Sequence, residues 1–359
     1  MVRLLAGRQA ASANFQALTL CMAEQLTPRR IAKAVARGEA PPRALLAPII
    51  FSLGARLEHV PLRDFYSNPT KIANAARQIR NTLKVDAVTC FFDPFLEAEA
   101  LGCKRQWNAD GSCSLARLKF ISTDELQEIL NSPDILTKKG NVLVACEVVR
   151  RLIVSLKDEP ALMVRVTGPL TLAGQLLEST DVSSLMEILQ FAADVTASVS
   201  KSLVDSGADI VLLVEDSVSD MSAELCERWS SLLAPTINVI RFYEALPVLC
   251  FSASLTQRSL DHILRNHWEC ALCMSLSDIN RLQQPVSADL GMGISLPASF
   301  FASANNDPEF DMALIRKMIP EHKLTLVSSS GDLPFTDPKR LATVLGTLRQ
   351  SLSKGVASL

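Results

Sequence analysis

Eight short apolar runs, separated by stretches of helical periodicity, constrain the fold of this chain more than any motif in it. The runs cover 45–51, 87–92, 162–167, 210–214, 246–251, 271–275, 288–294 and 324–328. Most are rich in Val, Ile, Leu and Phe, as expected of strands buried on both faces. Between them, 69–83, 123–130, 142–156, 171–177, 184–206, 222–233, 256–265 and 310–319 read as helices. A last helix, 340–354, closes the chain, with Pro338 placed to start it. Strands that alternate with helices build parallel sheets, and eight such units close into a (β/α)8 barrel, the TIM-barrel architecture. An open doubly wound sheet is the rival arrangement, since it needs the same alternation. Residues 1–40 are expected to be a helical extension, with a helix over 18–37 that stops at Gly38 and Pro41-Pro42. Residues 41–359 then form the barrel as a single domain. The 101–159 span is too long for a simple crossover, and 106–114 (Trp107, Asn108, Asp110, Gly111) reads as a turn-rich insertion capping the barrel.

A barrel of this kind carries its chemistry at the C-terminal ends of the strands, so those positions can be read in order. The most telling is Val85-Asp-Ala-Val-Thr-Cys-Phe-Phe-Asp-Pro-Phe-Leu-Glu-Ala-Glu-Ala-Leu-Gly102. Its apolar run stops at Asp93, and acids follow at Glu97 and Glu99. A simpler use of Asp93 is to cap the next turn, with Pro94 at its first position. The first strand ends at Ser52, Gly54 and Arg56, the third at Thr167 and Gly168, and the fourth at Glu215 and Asp216. The fifth ends at Cys250 and Ser252, the sixth near Ser275 and Asp278, the seventh near Ser295, and the eighth at Ser328-Ser-Ser330 and Asp332. Asp93 and Glu215 are the expected catalytic carboxylates, because paired acids can orient a cation or manage a proton. Ser52, Arg56, Glu97, Thr167, Gly168, Asp216, Cys250, Ser252, Ser330 and Asp332 are the expected substrate contacts.

Composition narrows the function classes. A formal charge of −2 over 359 residues, with 5% aromatics, offers neither the basic stripe nor the stacking platforms of a nucleic-acid binder. No window reaches the apolar length of a membrane span, and the first residues lack the apolar core of a secretory signal. Nine scattered cysteines are expected to be reduced thiols of a cytoplasmic protein. His267, Cys270 and Cys273 fall close together but lack a fourth ligand, so buried inert thiols are expected there. His59, His262 and His322 stand alone, and Gly-x-Ser-x-Gly is absent, so no Ser/His/Asp set is supported. Gly291-Met-Gly293 lacks the third glycine of a dinucleotide fingerprint. Tyr243 and Arg241 should pack at the barrel's lower rim. Arg165, inside the third strand, needs a buried partner, with Asp209 or Glu244 as the candidates.

Several blocks, taken in order, resemble the uroporphyrinogen decarboxylase superfamily, which includes the decarboxylase and the corrinoid-linked methyltransferases. They are Arg30-Ile-Ala-Lys-Ala-Val with Pro48, then Asp86-Ala-Val with Asp93 and Glu97-Ala-Glu-Ala-Leu-Gly102, then Val166-Thr-Gly-Pro-Leu-Thr-Leu-Ala173. Glu215-Asp-Ser and Gly331-Asp-Leu-Pro-Phe-Thr-Asp-Pro338 continue the series, so the resemblance spans about 28–352. It implies a (β/α)8 barrel, and it places Asp93 where the decarboxylase holds pyrrole N–H groups. The decarboxylase's Arg-Gln-Ala-Gly-Arg motif would fall at Phe51-Ser-Leu-Gly-Ala-Arg56, where Gly54 and Arg56 alone match; its Gly-His is replaced by Ser329-Ser330. The zinc-dependent methyltransferases' His-x-Cys reads Val248-Leu-Cys250, and their later cysteine is Gly331. One zinc ligand of three remains, so no metal site and no tightly bound cofactor are expected. The resemblance thus implies a zinc-independent methyltransferase-like enzyme. It would move a methyl group between a corrinoid or small-molecule donor and a non-thiol acceptor such as a reduced folate (tetrahydrofolate). A corrinoid protein is a candidate partner, and a homodimer is compatible. Tetrapyrrole decarboxylation and a non-catalytic ligand-binding barrel are the alternatives.

Overall fold

The computed structural model describes residues 26–108, 112–116, 136, 140–176, 182–216, 220–282, 291–302, 315, 318–319, 321–334 and 336–353. Its strands are β1 (Leu45–Leu46), β2 (Ala87–Phe91), β3 (Lys104–Trp107), β4 (Cys113–Ala116) and β5 (Ala161–Thr167). They continue with β6 (Ile210–Glu215), β7 (Leu246–Phe251), β8 (Ala271–Ser275), β9 (Gly291–Leu296) and β10 (Leu324–Ser329). The helices begin with α1 (Pro28–Ala36), α2 (Leu53–Leu57), α3 (Leu62–Tyr66), α4 (Pro69–Leu83), α5 (Leu96–Ala100), α6 (Gly140–Leu156) and α7 (Pro169–Leu176). There follow α8 (Val182–Asp205), α9 (Ala223–Phe242), α10 (Gln257–Arg265), α11 (Leu276–Asn280), α12 (Ala298–Ala302) and α13 (Pro338–Ser353).

Eight strands form one parallel sheet in the order β1-β10-β9-β8-β7-β6-β5-β2, the alternating pattern of a nearly closed TIM barrel. Its two end strands are stitched by Asp86, whose N–H donates to the Leu46 carbonyl at 2.9 Å. The Asp86 carboxylate accepts from the Leu46 N–H at 2.8 Å and is held by Arg43. The predicted first strand, 45–51, pairs over two residues because Pro48 has no N–H to give. Beyond it, side chains replace the ladder: Ile49 donates to Ser329 Oγ and Phe51 to Asp332 Oδ1, at 2.9 and 2.8 Å. The seventh strand lies slightly later than predicted, at Gly291–Leu296, with 288–290 outside the described residues.

Two other elements depart from expectation. The insertion over 106–114 is built on an antiparallel hairpin, β3–β4, rather than on turns alone. Helix α9 runs through Pro235, where the sequence suggests a stop at 233. Burying Thr236, Ile237 and Ile240 beyond the proline offsets the roughly 3 kcal/mol that a mid-helix proline costs. The predicted helices 123–130 and most of 310–319 lie outside the described residues, as does 18–25 of the predicted extension.

Strand alternation sorts side chains between the barrel interior and the helix layer. Leu45, Ala87, Met163, Leu212, Val248 and Leu326 fill the interior with small and branched groups. Helix α1 closes this column from below, packing Ile31, Ala32 and Ala36 on it. The seal is pinned by Arg29, whose Nε donates to both Asp209 oxygens at 2.9 Å and whose Nη1 donates to the Lys157 carbonyl at 2.8 Å. Tyr243 and Arg241 lie near this lower end, where Arg241 reaches the Ala36 carbonyl. A cavity of about 290 Å³ opens there between α1 and the starts of β7 to β10, on the side away from the strands' C-terminal ends. Among the described residues no helix is long and apolar enough to cross a membrane.

Candidate active site

At the end of β2 the chain delivers Asp93, with 1% of its surface exposed. Its Oδ1 accepts from the Phe95 N–H at 3.0 Å, closing an Asx turn, while α5 itself starts later, at Leu96, with Phe95 rather than Asp93 at its N-cap. The same carboxylate accepts from Arg105 Nη2 at 2.6 and 2.7 Å. Arg105 comes from β3 and also bonds both Glu99 oxygens, at 3.0 and 2.7 Å. Its guanidinium lies 4.8 Å from the Tyr66 ring and 5.5 Å from those of Phe95 and Trp107. Burial works against its charge, yet Asp93 and Glu99 hold it charged far above the ordinary arginine range. Burial raises Tyr66 well above its ordinary value, so its hydroxyl stays protonated and donates to the Phe92 carbonyl at 3.2 Å. Sequence reasoning missed Arg105, because its position is set by a hairpin whose register no periodicity announces. The available signal was a cation 12 positions after Asp93 and 6 after Glu99.

Glu215, the other expected catalytic acid, lies on the outer face of β6, since Leu212 and Val214 take the inner positions. It is fully buried and accepts four hydrogen bonds. Leu170 N and Trp229 Nε1 reach Oε1 at 3.1 and 2.8 Å; Thr171 N and Oγ1 reach Oε2 at 2.8 and 2.7 Å. It therefore caps the start of α7, and burial lifts its pKa to about 7 against the pull of those donors. Among the described residues Asp93 and Glu215 share no hydrogen-bond partner. Gly168 is required beside this carboxylate, because a Cβ there would stand 2.3 Å from Glu215 Cδ and 2.5 Å from Oε1. Gly168→Ala should cost about 1–3 kcal/mol by displacing the capping group. Chemical denaturation measures this, and an unshifted midpoint would refute the fit.

Glu97 is also fully buried, with Oε1 accepting from the Thr167 N–H at 3.0 Å. Burial raises its pKa, while Thr167 and the Arg165 charge act against the shift. At the barrel mouth, Arg165 points inward from β5 and pairs with Asp216, whose Oδ1 accepts from Ser252 Oγ at 2.7 Å. The expected partners of Arg165 are thus corrected. Asp209 is held at the lower end by Arg29, and Glu244 sits on the surface near Lys33 and Arg37. Cys250 and Cys273 occupy paired positions on β7 and β8. A hydrogen bond donated by the Cys250 thiol to Cys273, together with burial, raises that thiol well above its ordinary range. Cys273 is buried as expected but stands beside Cys250, while His267 is exposed near the lower rim.

The first and last strands meet at Asp332, which accepts from the N–H groups of Phe51, Ser52 and Leu333 and from Ser52 Oγ. Arg56 donates to the Pro334 carbonyl at 3.1 Å, and Ser330 N to the Leu296 carbonyl at 2.8 Å. The expected contacts therefore divide. Asp216, Cys250 and Ser252 face the mouth with Arg165, whereas Ser52 and Arg56 bind the loop that carries Asp332, and Ser330 bonds to the end of β9.

These positions can be set beside known proteins. The sequence profile of the uroporphyrinogen decarboxylase (URO-D) family matches residues 27–284. The chain belongs to the URO-D family. A search of curated protein sequences finds no match. Among solved structures, a methyltransferase from Methanosarcina mazei superposes with a TM-score of 0.71 at 15% identity, covering 92% of this chain and 100% of that one. A putative vitamin-B12 independent methionine synthase from Listeria monocytogenes gives 0.53 at 12% identity, covering 88% and 98%. At these identities the structural likeness establishes the barrel. The URO-D assignment and the strand-end placement of Asp93, Thr167, Asp216 and Ser252 direct attention to the C-terminal mouth.

Zinc, used by methyltransferases that the sequence resembles, can be tested against the side chains at the mouth. Cys250 and Cys273 supply two thiols, but among the described residues no three His, Cys, Asp or Glu side chains come together to hold a metal ion. A tetrahedral catalytic zinc needs three protein ligands. The donor set does not fit it.

Proposed function

We infer that this URO-D family member is a zinc-independent, methyltransferase-like enzyme acting on a small molecule at the barrel mouth. The methyl group would pass between a corrinoid or small-molecule donor and a non-thiol acceptor such as a reduced folate. The observation that carries this reading is the composition of the mouth. Among the described residues its thiol pair lacks the third ligand that zinc-activated thiol chemistry requires, while a carboxylate, Asp216, is held there by Arg165 and Ser252. In such a transfer the donor–methyl bond breaks with both electrons left on the donor, and the acceptor supplies the pair for the new bond. A nitrogen donor or acceptor then gains or loses a proton, a task suited to a mouth-facing carboxylate. The likeness to the M. mazei methyltransferase supports the same reading. Asp93, tied to Arg105 on both oxygens, is less suited to gripping pyrrole N–H groups, which disfavours tetrapyrrole decarboxylation.

Calorimetric titration with methylcobalamin, tetrahydrofolate and a porphyrinogen analogue tests the proposal, followed by single-turnover methyl transfer. Binding of the first two with transfer is the expected result. Binding of the porphyrinogen alone supports the decarboxylase, binding without turnover supports a non-catalytic barrel, and stoichiometric zinc in purified protein overturns the zinc-free reading.

A further inference from the structure

Arg165 sits where arginine is costly. It occupies the fifth position of β5, its side chain 1% exposed, on the inner side of the barrel above Met163. The guanidinium lies 5.2 Å from the Phe92 ring, and Nη2 is paired with Asp216. Its Nε and Nη1 are buried and have no acceptor among the described residues. A buried donor without an acceptor costs about 1–3 kcal/mol, and more when it is charged. Glu97, whose carboxyl feels the Arg165 charge, likewise has Oε2 buried without a donor among the described residues. Burial raises the Glu97 pKa, and the charge of Arg165 acts against that shift. Asp216 is drawn aside by Ser252 and engages one of the three guanidinium nitrogens. Two of the arginine's three nitrogens are therefore desolvated with their hydrogen-bonding capacity unused among the described residues. Such an arrangement suits a planar anion better than a neutral polar group.

We propose that Arg165 is the anchor of a carboxylate-binding subsite inside the barrel mouth, and that the small-molecule substrate carries a carboxylate there. The proposal rests on the mouth being the substrate site but not on methyl transfer as the reaction. Carboxylate oxygens accept from Nε or Nη1 while Phe92 packs against the guanidinium face. Asp216 then remains the arginine's second, competing anion, which leaves the affinity for a simple carboxylate open to tuning by that residue.

Succinate and its uncharged counterpart succinamide are suitable probes, titrated calorimetrically at matched ionic strength. Succinate is expected to bind and succinamide not. Arg165→Met should weaken succinate roughly tenfold or more, as loss of a charged hydrogen bond implies. Asp216→Asn, which removes the competing anion and leaves Arg165 in place, should tighten succinate. That gain is not expected if Arg165 is merely structural, and it keeps the test open if Arg165→Met fails to fold. Equal binding of succinate and succinamide, or unchanged or weakened succinate binding in Asp216→Asn, would overturn the proposal. A protein that binds succinate through Arg165 yet moves no methyl group keeps this subsite and loses the methyltransferase reading.

Discussion

Replacing Arg105 with methionine is expected to cost about 3–5 kcal/mol, because it strands Asp93 as a buried charge. The substitution keeps an apolar stem among Tyr66, Phe95 and Trp107, so lost packing is a minor part of the effect. Asp93 would keep one donor, the Phe95 N–H, in a position with 1% exposure. Glu99, half-buried, would lose the same partner. Urea denaturation of Arg105→Met against the parent gives the magnitude. Adding Asp93→Asn to the variant should restore most of the loss, since the uncharged amide no longer needs a cation. If Arg105→Met is as stable as the parent, or the double variant is worse than the single, the buried pair does not hold the rim together.

Glu215 should give the second large effect, and a pH dependence of known sign. Glu215→Ala leaves the N–H groups of Leu170 and Thr171 and Trp229 Nε1 without an acceptor in the interior. At about 1–3 kcal/mol for each orphaned donor, the loss is on the order of 5 kcal/mol. In the parent, burial lifts the carboxyl from 4.5 to about 7, so the folded chain binds its proton more tightly than the unfolded chain. Stability therefore falls as pH rises between those two values and levels off above them, by on the order of 3 kcal/mol from this group. Burial also raises Glu97, Glu99, Asp209 and Asp332, which add to the fall in the same direction. Glu215→Gln isolates its share: less stable at pH 5, but with a shallower decline to pH 8. An identical slope in the two proteins would remove Glu215 as its source.

The barrel was legible because strand and helix periodicities are local properties of the chain. Helix α4 falls where its pattern and Pro69 place it, and the inner strands β5 to β8 lie within about a residue of their apolar runs. Alternation along β6 could also have been read forward: with Val214 inside, Glu215 must face out and Asp216 in. The site was less legible because its partners are distant in sequence. Asp216 lies 51 positions from Arg165, and Asp332 lies 280 from the serine it binds. Arg105 is near Asp93 in sequence, but the fold of the β3–β4 hairpin decides whether the two meet. Pro235 misled in the opposite sense: a strong local stop signal lost to the apolar surface that α9 buries beyond it.

The seal that α1 makes beneath the barrel sets a rule for traffic. With Ile31 and Ala32 fully buried against the inner column and Arg29 locking the helix to Asp209, α1 closes the lower end of the barrel. Under the transfer proposed above, donor, acceptor and both products would share the upper opening: either the two reactants sit there together, or the spent donor leaves before the acceptor enters.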